Sequence, residues 1–412
     1  MSGILSHHGL TRRLMNGEAV RMAARKLLDH ARAGELAHLS LDESRLDAVV
    51  DYVIETTRAN YPTGEIPFHA RWRHFRAGGR DLWADLDKAT AWTSQRARVK
   101  AAYDLVIVSV LLDAGAGMGW RFVEPITRVE ASKSEGLGLA SFTMFREGLF
   151  SAQPGEPLRV DAEGLQRLSV GDLRRGFQVG EDNPLVGLEG RTALLHRLGE
   201  ELADRHADQP GNQRPSILAD LFLETLESGN PLLASMMLVE VLKEFSGIWP
   251  ERAGAVPGCG DTWFHPHGIP LPGHGSAIPF HKLSQWLTYS LIEPLHWAGH
   301  DVRDIDGLTG LPEYRNGGLL LDFGVLSLKD PADWTRRHDV SSALVVEWRA
   351  LTVALLDIIA ARMRAKLGLS AAELPLAKVL EGGTWAAGRR IAKEKRADGG
   401  PPLAIISDGT VF

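Results

Sequence analysis

Apolar residues recur at three- and four-residue steps in segment after segment of this chain, and no strand–helix–strand alternation interrupts them. That period places an apolar stripe along each of a series of helices. Val20, Ala23, Ala24, Leu27, Leu28 and Ala31 make one such stripe within a helical region over 9–58. Further helices are predicted over 94–112, 191–206, 215–228, 231–246, 281–298, 341–368 and 384–397. Between them, Tyr61-Pro-Thr-Gly-Glu-Ile-Pro-Phe carries two prolines and reads as loop. Residues 250–279 are dense in proline and glycine and are also predicted to be loop. The tail from Leu403 to Phe412 reads as a hairpin around Asp408-Gly409. The fold class expected is mainly α, with a few short strands and a C-terminal hairpin. The segments suggest an N-terminal helical lobe over 1–150, an elaborated connection over 151–190 and a C-terminal helical lobe over 191–412.

Composition narrows the function classes. With 44% hydrophobic and 24% charged residues, the chain is ordinary globular protein. A formal net charge of -6 argues against a general nucleic-acid binder, which would carry a basic face. The single cysteine, Cys259, cannot form an internal disulfide and fits a reducing compartment. The opening Met1-Ser-Gly-Ile-Leu-Ser-His-His-Gly has no apolar run, and no stretch approaches the roughly 18 apolar residues of a membrane span. A cytoplasmic chain with no membrane partner is expected.

Several polar residues stand in apolar or glycine-rich surroundings. Lys282, Gln285 and Tyr289 fall at i, i+3 and i+7 on a helix that is apolar almost all round. A buried Lys requires a partner or a ligand, so this face is a candidate substrate-binding surface; the alternative is a solvated stripe. Glu313 and Arg315 lie in the turn-prone Leu311-Pro-Glu-Tyr-Arg-Asn-Gly-Gly, where Gly317-Gly318 permits close backbone approach. An enclosed Glu313 is the candidate catalytic carboxylate. Glu347 and Arg349 interrupt the long apolar helix; two residues apart, they cannot face each other. Each needs a partner from another element, either a ligand or a bracing ion. Asp113 closes an apolar helix, where a carboxylate opposes the macrodipole, and is a second catalytic candidate.

Two anion sites suggest themselves. His69, Arg71 and Arg73 would share one side of an extended segment. Glu381-Gly382-Gly383 precedes a helix with Thr384 as expected N-cap, and its N–H groups could hold phosphate. Glu381 itself is a substrate-binding candidate. The string Ile-Pro-Phe-His occurs at 66–69 and again at 278–281, before Arg71 and Lys282 respectively, so both copies could line one pocket. Cys259, His265, His267, His274 and His281 crowd one segment, but their spacing matches no standard zinc motif. No metal and no cofactor is expected; the segment from Pro257 to Pro279 is read as a wall or lid.

Taken together, Ile66-Pro-Phe-His-Ala-Arg-Trp-Arg, Leu112-Asp-Ala-Gly-Ala-Gly, Ser134-Glu-Gly-Leu, His281-Lys-Leu-Ser-Gln-Trp, Pro312-Glu-Tyr-Arg-Asn-Gly-Gly and Glu381-Gly-Gly-Thr-Trp resemble the uracil-catabolism family of fungi and bacteria, catalogued as a domain of unknown function. The resemblance covers essentially the whole chain. It implies a place in the pathway that opens the uracil ring at the nucleotide level and releases urea. The C-terminal half also resembles the queuosine 5'-phosphate N-glycosylases, which cut a base from a ribose 5-phosphate. The shared order is Phe280-His-Lys-Leu-Ser-Gln285, Pro312-Glu-Tyr-Arg315 and Val346-Glu-Trp-Arg349. Glu313 stands where that family has Asp, and Asn316-Gly-Gly replaces its Val-Pro-Gln, which implies a different leaving group. The two resemblances imply a helical N-glycosidase acting on a small phosphorylated, ribose-containing substrate. A non-catalytic binding component of the pathway, or a metal-assisted amidohydrolase, is the alternative.

Overall fold

The structure is a computed structural model that describes residues 7–117 and 119–406. The chain divides into two units interleaved along the sequence. Among the described residues, the first comprises 7–69, 251–285 and 304–406, and the second 70–250 and 286–303. The fold is mainly helical, as expected, and the strands are short and paired two by two. Among the described residues no helix is long and apolar enough to cross a membrane.

The first unit is organised by the helix Ala343–Leu367. Ser342 starts it by accepting the Val345 N–H, and Gly368, at φ 68, ends it in the left-handed region where glycine costs least. From Leu344 through Leu356 every residue is buried, so this helix has no solvent face in its first three turns. The helix Gly17–Arg32 lies against it with the stripe of Val20, Ala23, Ala24, Leu27 and Leu28, and the helix Leu46–Asn60 packs on it as well. Asn16 caps the former by accepting the Ala19 N–H at 2.8 Å.

Of the segment expected to be loop over 250–279, residues 250–261 are loop, but the rest is a β-hairpin, Thr262–Leu271 with Gly275–Pro279. Its register slips between Phe264 and Ile269, and within that bulge Gly268 lies so close to the backbone of Ala277 that a Cβ would not fit. Proline and glycine here mark a bulged two-stranded ribbon, where donors can be spared, rather than an absence of structure. A second correction concerns Pro312–Gly318. Tyr314–Asp322 is a helix, and Gly317 lets it press on Trp348, whose indole donates to the Gly317 carbonyl at 3.0 Å. The turn of the expected C-terminal hairpin lies outside the described residues; Ala404–Ile406 pairs in parallel with Arg337–Asp339.

In the second unit the helix Gln95–Leu111, capped by Ser94, is buried almost throughout from Val99. The helices Lys133–Arg146 and Ile217–Glu227 pack on it. Its one buried carboxylate, Asp104, is answered by Arg214 at 2.5 Å and by the N–H groups of Val160 and Ser216. A buried charge with this many partners braces the core rather than seeking a ligand.

Candidate active site

Glu313 is the N-cap of the helix Tyr314–Asp322. Its carboxylate accepts the Arg315 N–H at 2.7 Å and the Asn316 N–H at 2.6 Å. Only 9% of the residue is exposed. Burial pushes its pKa above the ordinary value, while those two N–H groups, Lys282 and Arg315 pull the other way. The enclosed carboxylate expected from the sequence is therefore present, and a helix terminus orients it.

The chain leading to Glu313 is tied down at three points. Gln285 clasps Thr309 at both ends of its amide, donating to Oγ1 at 2.7 Å and accepting the backbone N–H at 3.0 Å. The Asn316 amide donates to the Leu311 carbonyl at 3.0 Å. Arg349 reaches the Pro312 carbonyl at 3.4 Å. Gln285 thus spends its hydrogen bonds on the loop, and it acts on Glu313 through that loop. Asn316 has a further property. It is fully buried, and its Oδ1 accepts no hydrogen bond among the described residues. A buried acceptor without a donor costs free energy unless something else supplies one.

The residue that sequence reasoning missed is Asp261, which immediately precedes the hairpin. Arg349 grips it through two parallel bonds, Nη1 to Oδ1 at 2.8 Å and Nη2 to Oδ2 at 2.7 Å. Trp263 Nε1 and the Lys282 N–H add to the same carboxylate at 2.8 and 3.2 Å. Burial pushes Asp261 up, but Arg349 and these donors outweigh it and hold the carboxyl well below the usual range. The Arg349 guanidinium also lies 4.1 Å from the centre of the Phe280 ring. The only sequence signal for Asp261 was the demand that Arg349 find a carboxylate on another element. Lys282 starts its helix half-buried, and its charge acts on Glu313.

The other expected residues separate into distinct settings. Glu347 accepts the N–H groups of Ala37 and His38 at 3.3 and 3.2 Å and lies 3.9 Å from His265. Burial raises its pKa. Arg315 donates to the Gly399 carbonyl at 2.8 Å and stacks over Tyr314. Glu381 accepts from the Tyr61 hydroxyl at 3.0 Å and pairs with His69 Nδ1 at 2.7 Å. The helix start expected at Thr384 is absent, since Leu380–Thr384 is a π-helical turn that runs on into Trp385–Lys395. Gly382 packs against Ile66 and Thr57 at distances already tight for a Cβ, and Gly383 against Val53 and Thr57 at distances that leave no room for one. Packing therefore explains both glycines.

Nor is the stretch after His69 extended. Arg71–Phe75 is a 3-10 turn, a repeat that lets Trp72 and Phe75 meet edge to face at 5.5 Å. Arg71 and Arg73 therefore take separate partners in the second unit. Arg71 is fully buried, donates to Ser109 at 2.7 Å and lies 3.2 Å from Asp113, which also accepts from Ser134 at 2.6 Å. Arg73 pairs with Glu293 at 2.5 Å. Tyr289 belongs to this unit and is fully buried. Of the crowded histidines, His281 bonds the Leu14 carbonyl at 3.0 Å and His265 sits beside His267. Cys259 is buried. Among the described residues, no three His, Cys, Asp or Glu side chains are grouped so as to hold a metal ion.

Comparison with known proteins agrees with the family resemblance. "Protein urg3" of Schizosaccharomyces pombe is 37% identical over 410 residues, covering 97% of this chain and 98% of the relative. "Uracil catabolism protein 4" of Lachancea kluyveri is 35% identical over 436 residues, covering 96% and 97%. The family described as "Protein of unknown function (DUF1688)" matches residues 13–412, and the chain belongs to that family.

Proposed function

We propose that the protein is an N-glycoside hydrolase of uracil catabolism, acting on a ring-opened uridylate remnant such as ribosylurea 5'-phosphate and releasing urea and ribose 5-phosphate. The pathway is suggested by the name of one relative, "Uracil catabolism protein 4". The observation that carries the chemistry is the first turn of the helix Tyr314–Asp322. There an enclosed carboxylate, Glu313, stands three residues from a buried amide oxygen, Asn316 Oδ1, that accepts no hydrogen bond among the described residues. Breaking the C1'–N bond sends its electron pair to the urea nitrogen and leaves an oxocarbenium-like sugar. Glu313 stabilises that cation and takes a proton from the water that adds to C1', and that proton is passed on to the urea nitrogen, which returns Glu313 to its carboxylate. Asn316 Oδ1 accepts an N–H of the departing urea, a donor that a ribosylurea offers in abundance. Lys282 contacts the sugar end of the substrate.

The test is incubation of the purified protein with ribosylurea 5'-phosphate. Urea and ribose 5-phosphate should form in equal amounts, and Asn316→Ala should slow this by about tenfold or more, the scale of one hydrogen bond lost from a buried site. Binding with no turnover would favour a non-catalytic component of the pathway. The internal ion pairs of Arg71, Arg73 and Arg349 suit that reading, since they brace a fold.

A further inference from the structure

A cavity of about 310 Å³ lies within the first unit, apart from the residues around Glu313. Its wall carries Arg21 and Arg25 from the helix Gly17–Arg32, Asp357 and Arg364 from the helix Ala343–Leu367, and Asp306. Arg21 and Arg25 are one turn apart, a spacing at which like charges repel. Asp357 answers Arg21 through Nε at 2.7 Å and Nη2 at 3.3 Å. It reaches Arg25 only as a long ion pair, Nη2 to Oδ2 at 3.9 Å with no hydrogen bond, and the Arg25 side chain is 67% exposed. Arg364 is held by the Leu374 carbonyl on Nε at 2.8 Å and by Asp306 on Nη2 at 2.6 Å. Its Nη1 donates no hydrogen bond among the described residues. Asp306 is fixed in turn by the Leu376 N–H at 2.6 Å.

Three guanidinium groups thus face two carboxylates around one polar cavity. Two of the three are immobilised by fold contacts, so little side-chain entropy remains to be lost when they engage a ligand. The excess charge is positive, and the donors presented are planar forks suited to a tetrahedral oxyanion. We propose that this cavity is an anion site for a phosphate group, free or esterified, separate from the Glu313 site. Arg25, the most loosely paired of the three, supplies a mobile positive charge, and Arg364 Nη1 a fixed donor. The volume lies at the lower end of small-molecule sites, which run from roughly 300 Å³ upward. It admits a phosphate carrying a small substituent.

The test is calorimetric titration of the full chain with inorganic phosphate, ribose 5-phosphate and ribose. Because Arg25 is exposed, Arg25→Ala should leave the fold unchanged and weaken both phosphate ligands about tenfold or more. Lys282→Met should retain phosphate binding at this site, which separates it from the proposed substrate site. Equal affinity for the two phosphate ligands would identify free phosphate as sufficient; tighter ribose 5-phosphate would identify the ester. The proposal is overturned if phosphate gives no saturable binding, if ribose binds as well as ribose 5-phosphate, or if Arg25→Ala binds as the parent does. Loss in Lys282→Met but not in Arg25→Ala would also overturn it, while leaving the hydrolase reading intact.

Discussion

Arg349 and Asp261 meet through two parallel hydrogen bonds, at 2.8 and 2.7 Å, where neither side chain has more than a trace of solvent contact. The pair joins the long central helix to the residue that precedes the hairpin, and the same guanidinium touches the carbonyl just before Glu313. Removing one member of a buried pair strands the other's charge. Arg349→Met should therefore cost about 3–5 kcal/mol in urea denaturation. A loss under about 1 kcal/mol, as for a solvent-screened pair, would show that the pair does not brace the site.

Glu313→Gln keeps the volume and one acceptor for the helix N-terminus. Its stability should fall by only about 1 kcal/mol, the usual worth of a cap. Turnover of ribosylurea 5'-phosphate should drop about a hundredfold or more, the scale of a lost acid–base group. Rates near the parent's would remove Glu313 from the mechanism.

Burial, and then the neighbouring His267, His38 and His30, push the His265 imidazole down to about 4. Below the ordinary value the unfolded chain takes up a proton that the folded chain refuses, so stability falls as pH drops. The loss grows down to about pH 4 and then levels off, reaching about 3 kcal/mol for this group. His265→Gln should be less acid-sensitive than the parent between pH 6.5 and 4. Parallel stability–pH curves for the two proteins would contradict this.

Arg71 is expected to act in the fold. It is fully buried and lies 3.2 Å from Asp113. Arg71→Ala should lower the melting temperature and affect phosphorylated and dephosphorylated ligands alike. A selective loss for phosphorylated ligands, with stability intact, would return Arg71 to a phosphate-binding role.

Gly383 is a packing position. A Cβ there would come within 2.5 Å of Val53 Cγ1 and 2.9 Å of Thr57 Oγ1. Gly383→Ala should cost about 1–3 kcal/mol by overpacking. Gly211→Ala, where a Cβ meets nothing within 4 Å, should stay within about 0.5 kcal/mol of the parent by thermal melts.

The residue order alone determined the mainly helical class and many of the helices, though Lys133–Arg146 and Tyr314–Asp322 were not among those it predicted. The stripe on 17–32, the buried run on 344–356 and the helix beginning after Ser94 are local patterns, because a helix is written in spacings of three and four residues. Local reasoning also marked Glu313 as enclosed, and required a carboxylate for Arg349. It did not name Asp261, which lies 88 residues away in sequence. It took the hairpin over 262–279 for loop, because proline and glycine punctuate bulged ribbons as they do loops. It placed phosphate at Gly382-Gly383 and at Arg71, where the structure has a π-helical turn against Val53 and Thr57 and an ion pair with Asp113. Spacing states which side chains share a face of one element. Which element stands opposite, and so whether a buried charge meets a partner or awaits a ligand, is a long-range contact that only the tertiary structure decides.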